Sequence, residues 1–336
     1  MNAELRRKLL WSFGAAFLVY IGFVLFSDFA QMKVALADFP WSWLSVVILL
    51  TLFNYLARLA RWRWMLLRLK VPIAAWDTTR IFGVGMLMVM TPGKAGELLK
   101  CYMIKNVSGA PMSHTAPTIL AERMIDGAAM LILASVGLIA FPDARAQWVA
   151  GMVFVVFVVG VIAVQYRPLA LWFLGIGERT PGIKKFARHL HTFYESAYII
   201  FGPRNLTIAL LIGVLCWGAE GVAYAVVLVG FGAPATLDTL FKAVFIFNIS
   251  TVIGAVFALP GGLGGVEGSM VLLSRRLLGL TTPVATSAAL LTRFITLWMG
   301  VGIGVVSFFL WPDLLAGAEN AKAPSQTSAK SSAPFP

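Results

Sequence analysis

Long apolar runs separated by short polar stretches set the pattern of this chain. A membrane-spanning helix needs about 20 mostly apolar residues. Six stretches approach that length: 9–26, 41–57, 124–141, 148–164, 206–229 and 295–311. Two more are apolar but broken by glycine and proline. Residues 81–90 run into Thr91-Pro-Gly-Lys-Ala-Gly-Glu97, and residues 240–259 run into Pro260-Gly-Gly-Leu-Gly-Gly-Val-Glu267. Each break leads into a further helical stretch before the next span. The pattern predicts an all-α polytopic membrane protein with about six full spans and two broken, re-entrant segments.

Composition points the same way. Of 336 residues, 59% are hydrophobic and 12% charged, and the mean hydropathy is +0.84. A soluble domain carries about 25% charged residues, and one globule this apolar could not hide its surplus. The formal charge is 27 − 15 = +12. In a soluble protein that excess would point to nucleic acid. Here it sits between apolar spans, where basic cytoplasmic loops and anionic headgroups account for it, so no nucleic-acid partner is expected. Arg6, Arg7 and Lys8 precede the first run; Arg58, Arg61, Arg63, Arg68 and Lys70 follow the second; Arg167, Arg179, Lys184, Lys185 and Arg188 follow the fourth. These clusters put the N-terminus and both of those loops on the cytoplasmic side of a cell inner membrane. Residues 184–201 read as an interfacial amphipathic helix. Residues 9–26 are too long for a signal-peptide core, and Ala35-Leu-Ala37 lies beyond their end, so a retained span is expected. After residue 315 the sequence turns rich in Ala, Ser, Lys and Pro, which predicts a membrane domain over 1–315 and a disordered tail over 316–336.

Three motifs recur in the same order. Pro72-Ile-Ala-Ala-Trp-Asp77 is echoed by Pro234-Ala-Thr-Leu-Asp238, Pro92-Gly-x-x-Gly96 by Pro260-Gly-x-x-Gly264, and Arg123 at the head of one span by Arg293 at the head of another. Repeats over about 41–141 and 206–311 follow. The first opens with a span running inward and the second with one running outward, so the copies are expected to be inverted, with broken helices meeting at a central site. This places the C-terminus inside but Arg275 and Arg276 outside. If residues 240–259 cross fully instead, both arginines lie inside and the tail lies outside.

Ionisable groups at membrane depth face a cavity or a partner, because burying them alone is costly. Glu97 starts a helix directly after its break, where the helix dipole favours a carboxylate. Glu122 and Asp126 share a helix face, with Arg123 beside them, and an ion-pair network or a phosphate site would each fit. Arginine holds phosphate well because its planar fork meets two oxygens at once. Arg293 has Thr292 and Thr296 in place of the carboxylates and is expected to be the freer of the two. Lys94 and Lys100 flank Glu97 and could meet phosphate or neutralise it. Asn54, Arg58 and Glu220 would present polar faces to the same cavity, floored by Pro92, Gly93, Gly96, Pro260, Gly261 and Gly264 and lined by Glu97, Glu122, Asp126 and Glu267. The glycine-rich breaks are expected to expose backbone amides to an anion. His189 and His191 point to different helix faces, Cys101 and Cys216 are far apart, and no hydrolase or metalloprotease motif is present. No metal site or cofactor is therefore expected and no catalytic residue is assigned, a membrane-embedded transferase standing as a third reading.

Pro92-Gly93-x-x-Gly96-Glu97, Glu122-Arg123-x-x-Asp126 and Pro260-Gly-Gly-Leu-Gly-Gly-Val-Glu267 together resemble the lysylphosphatidylglycerol synthase transmembrane-region family, a flippase-like domain. The resemblance runs from about Arg6 to Trp311. It implies an inner-membrane protein that binds an anionic or glycosylated lipid and moves its headgroup between leaflets. It also implies an alternative: an accessory subunit for a lipid-, hopanoid- or glycolipid-modifying enzyme. No soluble aminoacyl-transfer domain is expected here, so lysyl transfer is not carried over.

Overall fold

The computed structural model describes residues 29–91, 96–137, 187–257 and 260–315, with isolated positions between 148 and 166. The expected spans 9–26 and, for the most part, 148–164 lie outside the described residues, as do Pro92, Gly93, Lys94 and the tail. Every regular element among the described residues is helical.

The elements run α1 (Phe29–Ala37), α2 (Leu44–Arg68), α3 (Ala75–Leu87), α4 (Leu98–Ser108), α5 (Met112–Gly137), α6 (Ala187–Ile200), α7 (Pro203–Gly230), α8 (Leu237–Val256), α9 (Gly265–Leu278), α10 (Thr282–Arg293) and α11 (Met299–Leu310). Short 3-10 turns close α3 at Met88–Met90 and precede α9 at Pro260–Gly262, and a π turn at Phe294–Trp298 joins α10 to α11. Among the described residues, four stretches are long and apolar enough to cross a bilayer: Trp41–Arg68, Pro203–Gly230, Leu237–Val256 and Thr282–Leu310.

Helix limits depart from the apolar runs in three places. α2 continues past residue 57 to Arg68, α5 starts at Met112 rather than 124, and the last span starts at Thr282 rather than 295. The physical reason is shared: helices run on through charged residues that find partners on neighbouring helices. Leu237–Val256 also departs from the broken segment expected there, since its helix is unbroken for 20 residues and the glycines act only after it. The amphipathic stretch 184–201 forms α6, which buries Tyr194, Ala197 and Ile200 and packs against α5.

The described elements of the two halves follow a similar order. In each half a long opening helix leads to a second helix, a 3-10 turn, a short helix and a long closing stretch; residues 92–95 of the first half lie outside the described residues. Both short helices end on a left-handed glycine, Gly109 at φ 74° and Gly279 at φ 67°, a backbone that other residues resist. The two opening helices, α2 and α7, pack antiparallel. Phe39, just before α2, meets Gly230; Asn54 meets Cys216; Arg68 meets Asn205. Asn54 and Cys216 are repeat mates under the offset that superposes Pro72 on Pro234, since 234 − 72 = 162 and 216 − 54 = 162. The Asn54 amide donates to the Cys216 carbonyl at 2.9 Å, and the Cys216 thiol faces the Asn54 carbonyl at 3.9 Å. A residue touches its own mate only on a two-fold axis, so a pseudo-two-fold passes between them. The remaining packing is reciprocal: α3 of the first half lies on α11 of the second, and α8 of the second lies on α5 of the first.

This symmetry makes two hairpins that enter from opposite ends. At the basic end, Arg68 bonds Asn205 at 3.1 Å, His114 bonds the Leu69 carbonyl at 2.9 Å, and Trp76 stacks edge-on against Trp311. The α3–α4 hairpin starts there and returns there, because Arg80 bridges Asp313 at 3.3 Å and Asn106 donates to the Leu314 carbonyl at 3.2 Å. At the far end, Phe39 lies against Phe231, and α8 starts beside Trp43. The returning α9 bonds back toward that end through Ser274 and Tyr224 at 2.6 Å. The two 3-10 turns meet between the ends, where Leu87, Met88, Met90, Leu263, Leu297 and Val301 form one buried cluster.

Small residues let the hairpin seat. A Cβ on Gly304 of α11 would stand 2.3 Å from the Leu87 backbone nitrogen, whereas one on Gly302 would meet nothing within 4 Å. Gly304→Ala is therefore expected to destabilise the protein by about 1–3 kcal/mol through overpacking, read as a lower Tm in detergent. Gly302→Ala should leave Tm unchanged.

Candidate functional site

Charged side chains cluster where the hairpins cross. In the first half, Arg61 of α2 donates through Nη2 to Asp126 Oδ1 at 2.6 Å, with both side chains almost wholly buried. Lys100 of α4 donates to Glu122 Oε2 at 2.6 Å and lies 4.8 Å from the centre of the Trp62 ring. Arg123 of α5 stands between two carboxylates, its Nε 3.3 Å from Glu97 Oε2 and its Nη2 3.3 Å from Asp126 Oδ2. Neither approach has hydrogen-bond alignment, so both nitrogens keep donor capacity. Arg123 is also the open member of the group, its side chain 26% exposed. Arg58 lies within electrostatic range of Asp126, Glu122 and Glu97, and its Nε makes no hydrogen bond.

The second half repeats part of this arrangement more tightly. Glu267 Oε2 accepts from the Gly264 backbone N–H at 2.7 Å, capping α9, while Oε1 accepts from Arg293 Nε at 2.8 Å. Arg293 Nη2 also donates to the Gly261 carbonyl at 2.6 Å. Each half thus holds a carboxylate from the start of its short helix against an arginine of its closing helix. The Glu97–Arg123 clamp is loose and the Glu267–Arg293 clamp is closed.

Two expectations are corrected by these bonds. Arg293 is the more fully paired arginine, because its partner comes from the break 26 residues earlier and not from its own helix. At the glycine breaks two amides that could have met an anion are already taken, Gly264 N–H by Glu267 Oε2 and Gly96 N–H by Thr91 Oγ1 at 2.9 Å. Glu122 and Asp126 share a face but separate their duties, one to Lys100 and one to Arg61 and Arg123. Asn54 lies on the pseudo-two-fold axis. Pro260 sits in the 3-10 turn at the crossing.

Glu220 of α7 is 3% exposed, and its Oε2 makes no hydrogen bond. Its electrostatic neighbours are Arg58 and Arg293. Sequence reasoning missed Arg61, counting it among loop cations. Its signal was the spacing Asn54, Arg58, Arg61, which places three polar residues along one helix face.

Charge is unequal across the axis. The first half gathers Arg58, Arg61, Lys100 and Arg123 against Glu97, Glu122 and Asp126, 4 − 3 = +1; the second gathers Arg293 against Glu220 and Glu267, 1 − 2 = −1. Away from these charges, an apolar groove of about 550 Å³ opens at the far end between Trp43, Val46, Val226, Val229, Leu237 and Leu240. Its lining is mostly apolar and suits hydrocarbon, with Thr236 and Thr239 as its hydroxyl groups and no charged side chain.

The model of the family described as Lysylphosphatidylglycerol synthase TM region matches residues 13–304. The chain belongs to this family. Two curated relatives, both called UPF0104 membrane protein and both from Methanothermobacter thermautotrophicus, are similar to it. One is 25% identical over 237 residues, covering 64% of this chain and 69% of the relative; the other is 27% identical over 232 residues, covering 63% and 66%. The match thus spans about two thirds of each relative. Family and apolar helices together make this a membrane protein.

Proposed function

We propose that the protein binds a phospholipid or glycolipid and moves its headgroup between the leaflets of the cell inner membrane, with the basic end cytoplasmic. The observation that carries this reading is the pair of hairpins entering from opposite ends and meeting at paired Glu–Arg clamps, one loose and one closed. Two inverted halves can exchange those states, so that each leaflet reaches the crossing in turn. The headgroup phosphate binds at Arg123, where two unaligned donors sit in the half with net positive charge. Acyl chains remain in the bilayer and along the apolar groove. Membership of a family named for a lipid synthase's membrane region supports a lipid substrate.

The test is a leaflet assay in proteoliposomes. Purified protein should speed exchange of a fluorescent phospholipid between leaflets without any partner. Arg123→Gln should slow it. Losing a charge-assisted hydrogen bond is worth about 1.5–3 kcal/mol, which is roughly ten- to hundredfold in headgroup affinity. Glutamine is the informative change, because a glutamate would stand against Glu97 and Asp126 and unfold the site by repulsion.

A second reading has its own support. Arg61–Asp126, Lys100–Glu122 and Arg293–Glu267 are buried ion pairs that each close within 2.8 Å, as expected of a scaffold. On that reading the protein is an accessory subunit, and lipid exchange appears only when a lipid-modifying enzyme is added to the liposomes.

A further inference from the structure

Glu220 stands apart from every other carboxylate at the crossing. Glu267, Glu122 and Asp126 each meet a cation within 2.8 Å, and Glu97 faces Arg123. Glu220 lies inside α7, with an Oε2 that no donor reaches. Arg293 is already engaged by Glu267 and the Gly261 carbonyl. Arg58 and Arg293 act on Glu220 electrostatically, but nothing donates to its Oε2. A buried carboxylate left ionised without full pairing is destabilising, so a proton is a ready complement for it.

Symmetry sharpens the point. Under the same offset that pairs Asn54 with Cys216, Glu220 is the mate of Arg58, since 58 + 162 = 220. One turn from the axis, the first half therefore carries a group that never loses its charge, and the second carries one that can. Protonating Glu220 changes the second half from −1 to 0 and leaves the first untouched. Another buried polar atom without a hydrogen bond, Trp217 Nε1, lies one turn earlier on α7, and Thr296 Oγ1 is a second, on a residue whose backbone carbonyl accepts from Tyr55.

We propose that Glu220 is a proton-binding site: its carboxylate takes one proton from water to become a neutral acid at the crossing, and returns it to water as a carboxylate. The groups that face it are Tyr55 and Arg58 from α2, Arg293 from α10 and Cys216 on its own helix. The charged groups of α8, Asp238 and Lys242, pair with each other at 2.7 Å. On α5, Glu122, Arg123 and Asp126 are held as described above. Arg58 and Arg293 stay charged throughout, so Glu220 is the carboxyl among these groups that can take up a proton and change the charge at the crossing. Proton coupling of this kind is a recurring use of lone acidic residues inside spans.

The inference does not depend on lipid movement, and neither does its test. A hydrophobic carbodiimide adds only to the protonated form of a carboxyl. Full-length protein in liposomes is treated across mildly acidic to mildly alkaline pH, and each carboxyl is read by peptide mass spectrometry. Glu220 should be modified at acidic pH, with modification falling about tenfold per pH unit beyond its midpoint. Glu267 and Asp126, held by arginines, should stay unmodified. Glu220→Asp should keep the pH-dependent label, which guards against a variant that fails to fold, and Glu220→Gln should lose it. No label on Glu220 at any pH, or a label that ignores pH, would overturn the proposal. Protection that appears only with an amine-bearing lipid, whatever the pH, would overturn it too and assign the carboxylate to a ligand ammonium.

Discussion

Arg293→Ala is expected to cost about 3–5 kcal/mol of stability, the range found when one partner of a buried ion pair is removed. The reason lies with what is left behind. Glu267 is wholly buried, and without Arg293 its carboxylate keeps only the Gly264 N–H. The Gly261 carbonyl loses its donor at the same time, so the break between α8 and α9 loses both ties to α10. The measurable result is a large fall in Tm and in the monodisperse fraction on size-exclusion chromatography in detergent. Adding Glu267→Gln to Arg293→Met should recover much of the loss, since the neutral pair leaves no unpaired charge and the amide oxygen can still accept from Gly264. If Arg293→Ala proves as stable as the parent, the closed clamp is not structural. Its arginine would then be free for the ligand role that Arg123 is assigned here.

The contrast between those two arginines shows what the sequence could and could not reveal. The break after α8 was legible because proline and glycine act locally: they end a helix wherever they stand. The antiparallel packing of α2 on α7 fits two opening spans of opposite sense. Partners were not legible. Arg293 meets Glu267 across 26 positions, Lys100 meets Glu122 across 22, and Arg61 meets Asp126 across 65. Helical neighbours at three and four positions say nothing about contacts made through a fold. Arg61 was hidden for a related reason. A cluster of Arg58, Arg61, Arg63, Arg68 and Lys70 looks like one basic loop, yet the helix runs through it and turns Arg61 into the protein while Arg68 reaches the basic end. The length of α8 was obscured by the break that follows it, although Leu237–Val256 contains no glycine before Gly254.

Opposite labelling of Asp238→Cys and Asp313→Cys is the second large expected effect, and the mechanism rests on it. Both side chains are more than half exposed, at 52% and 64%, so a cysteine at either place is open to reagent. Asp238 stands at the start of α8 at the far end, and Asp313 follows α11 at the basic end beside Arg80. In a background with Cys101→Ser and Cys216→Ser, both native thiols being buried, a membrane-impermeant maleimide should label Asp238→Cys in intact spheroplasts. Asp313→Cys should label only after permeabilisation, an all-or-none difference. The sides follow from the basic residues Arg68, Lys70 and Arg80 at one end, which are retained on the cytoplasmic side. The opposition follows from the hairpins themselves, since α3 starts beside Trp311 and α8 starts beside Trp43. If both cysteines label from one side, the hairpins open to the same face and the clamps cannot exchange access between leaflets. If the pattern is opposite but reversed, the inverted halves stand and only the direction of the basic end is wrong. That outcome would put Arg123, on the half whose hairpin opens at the basic end, nearer the outer leaflet. It would reverse which leaflet first presents its headgroup to the loose clamp.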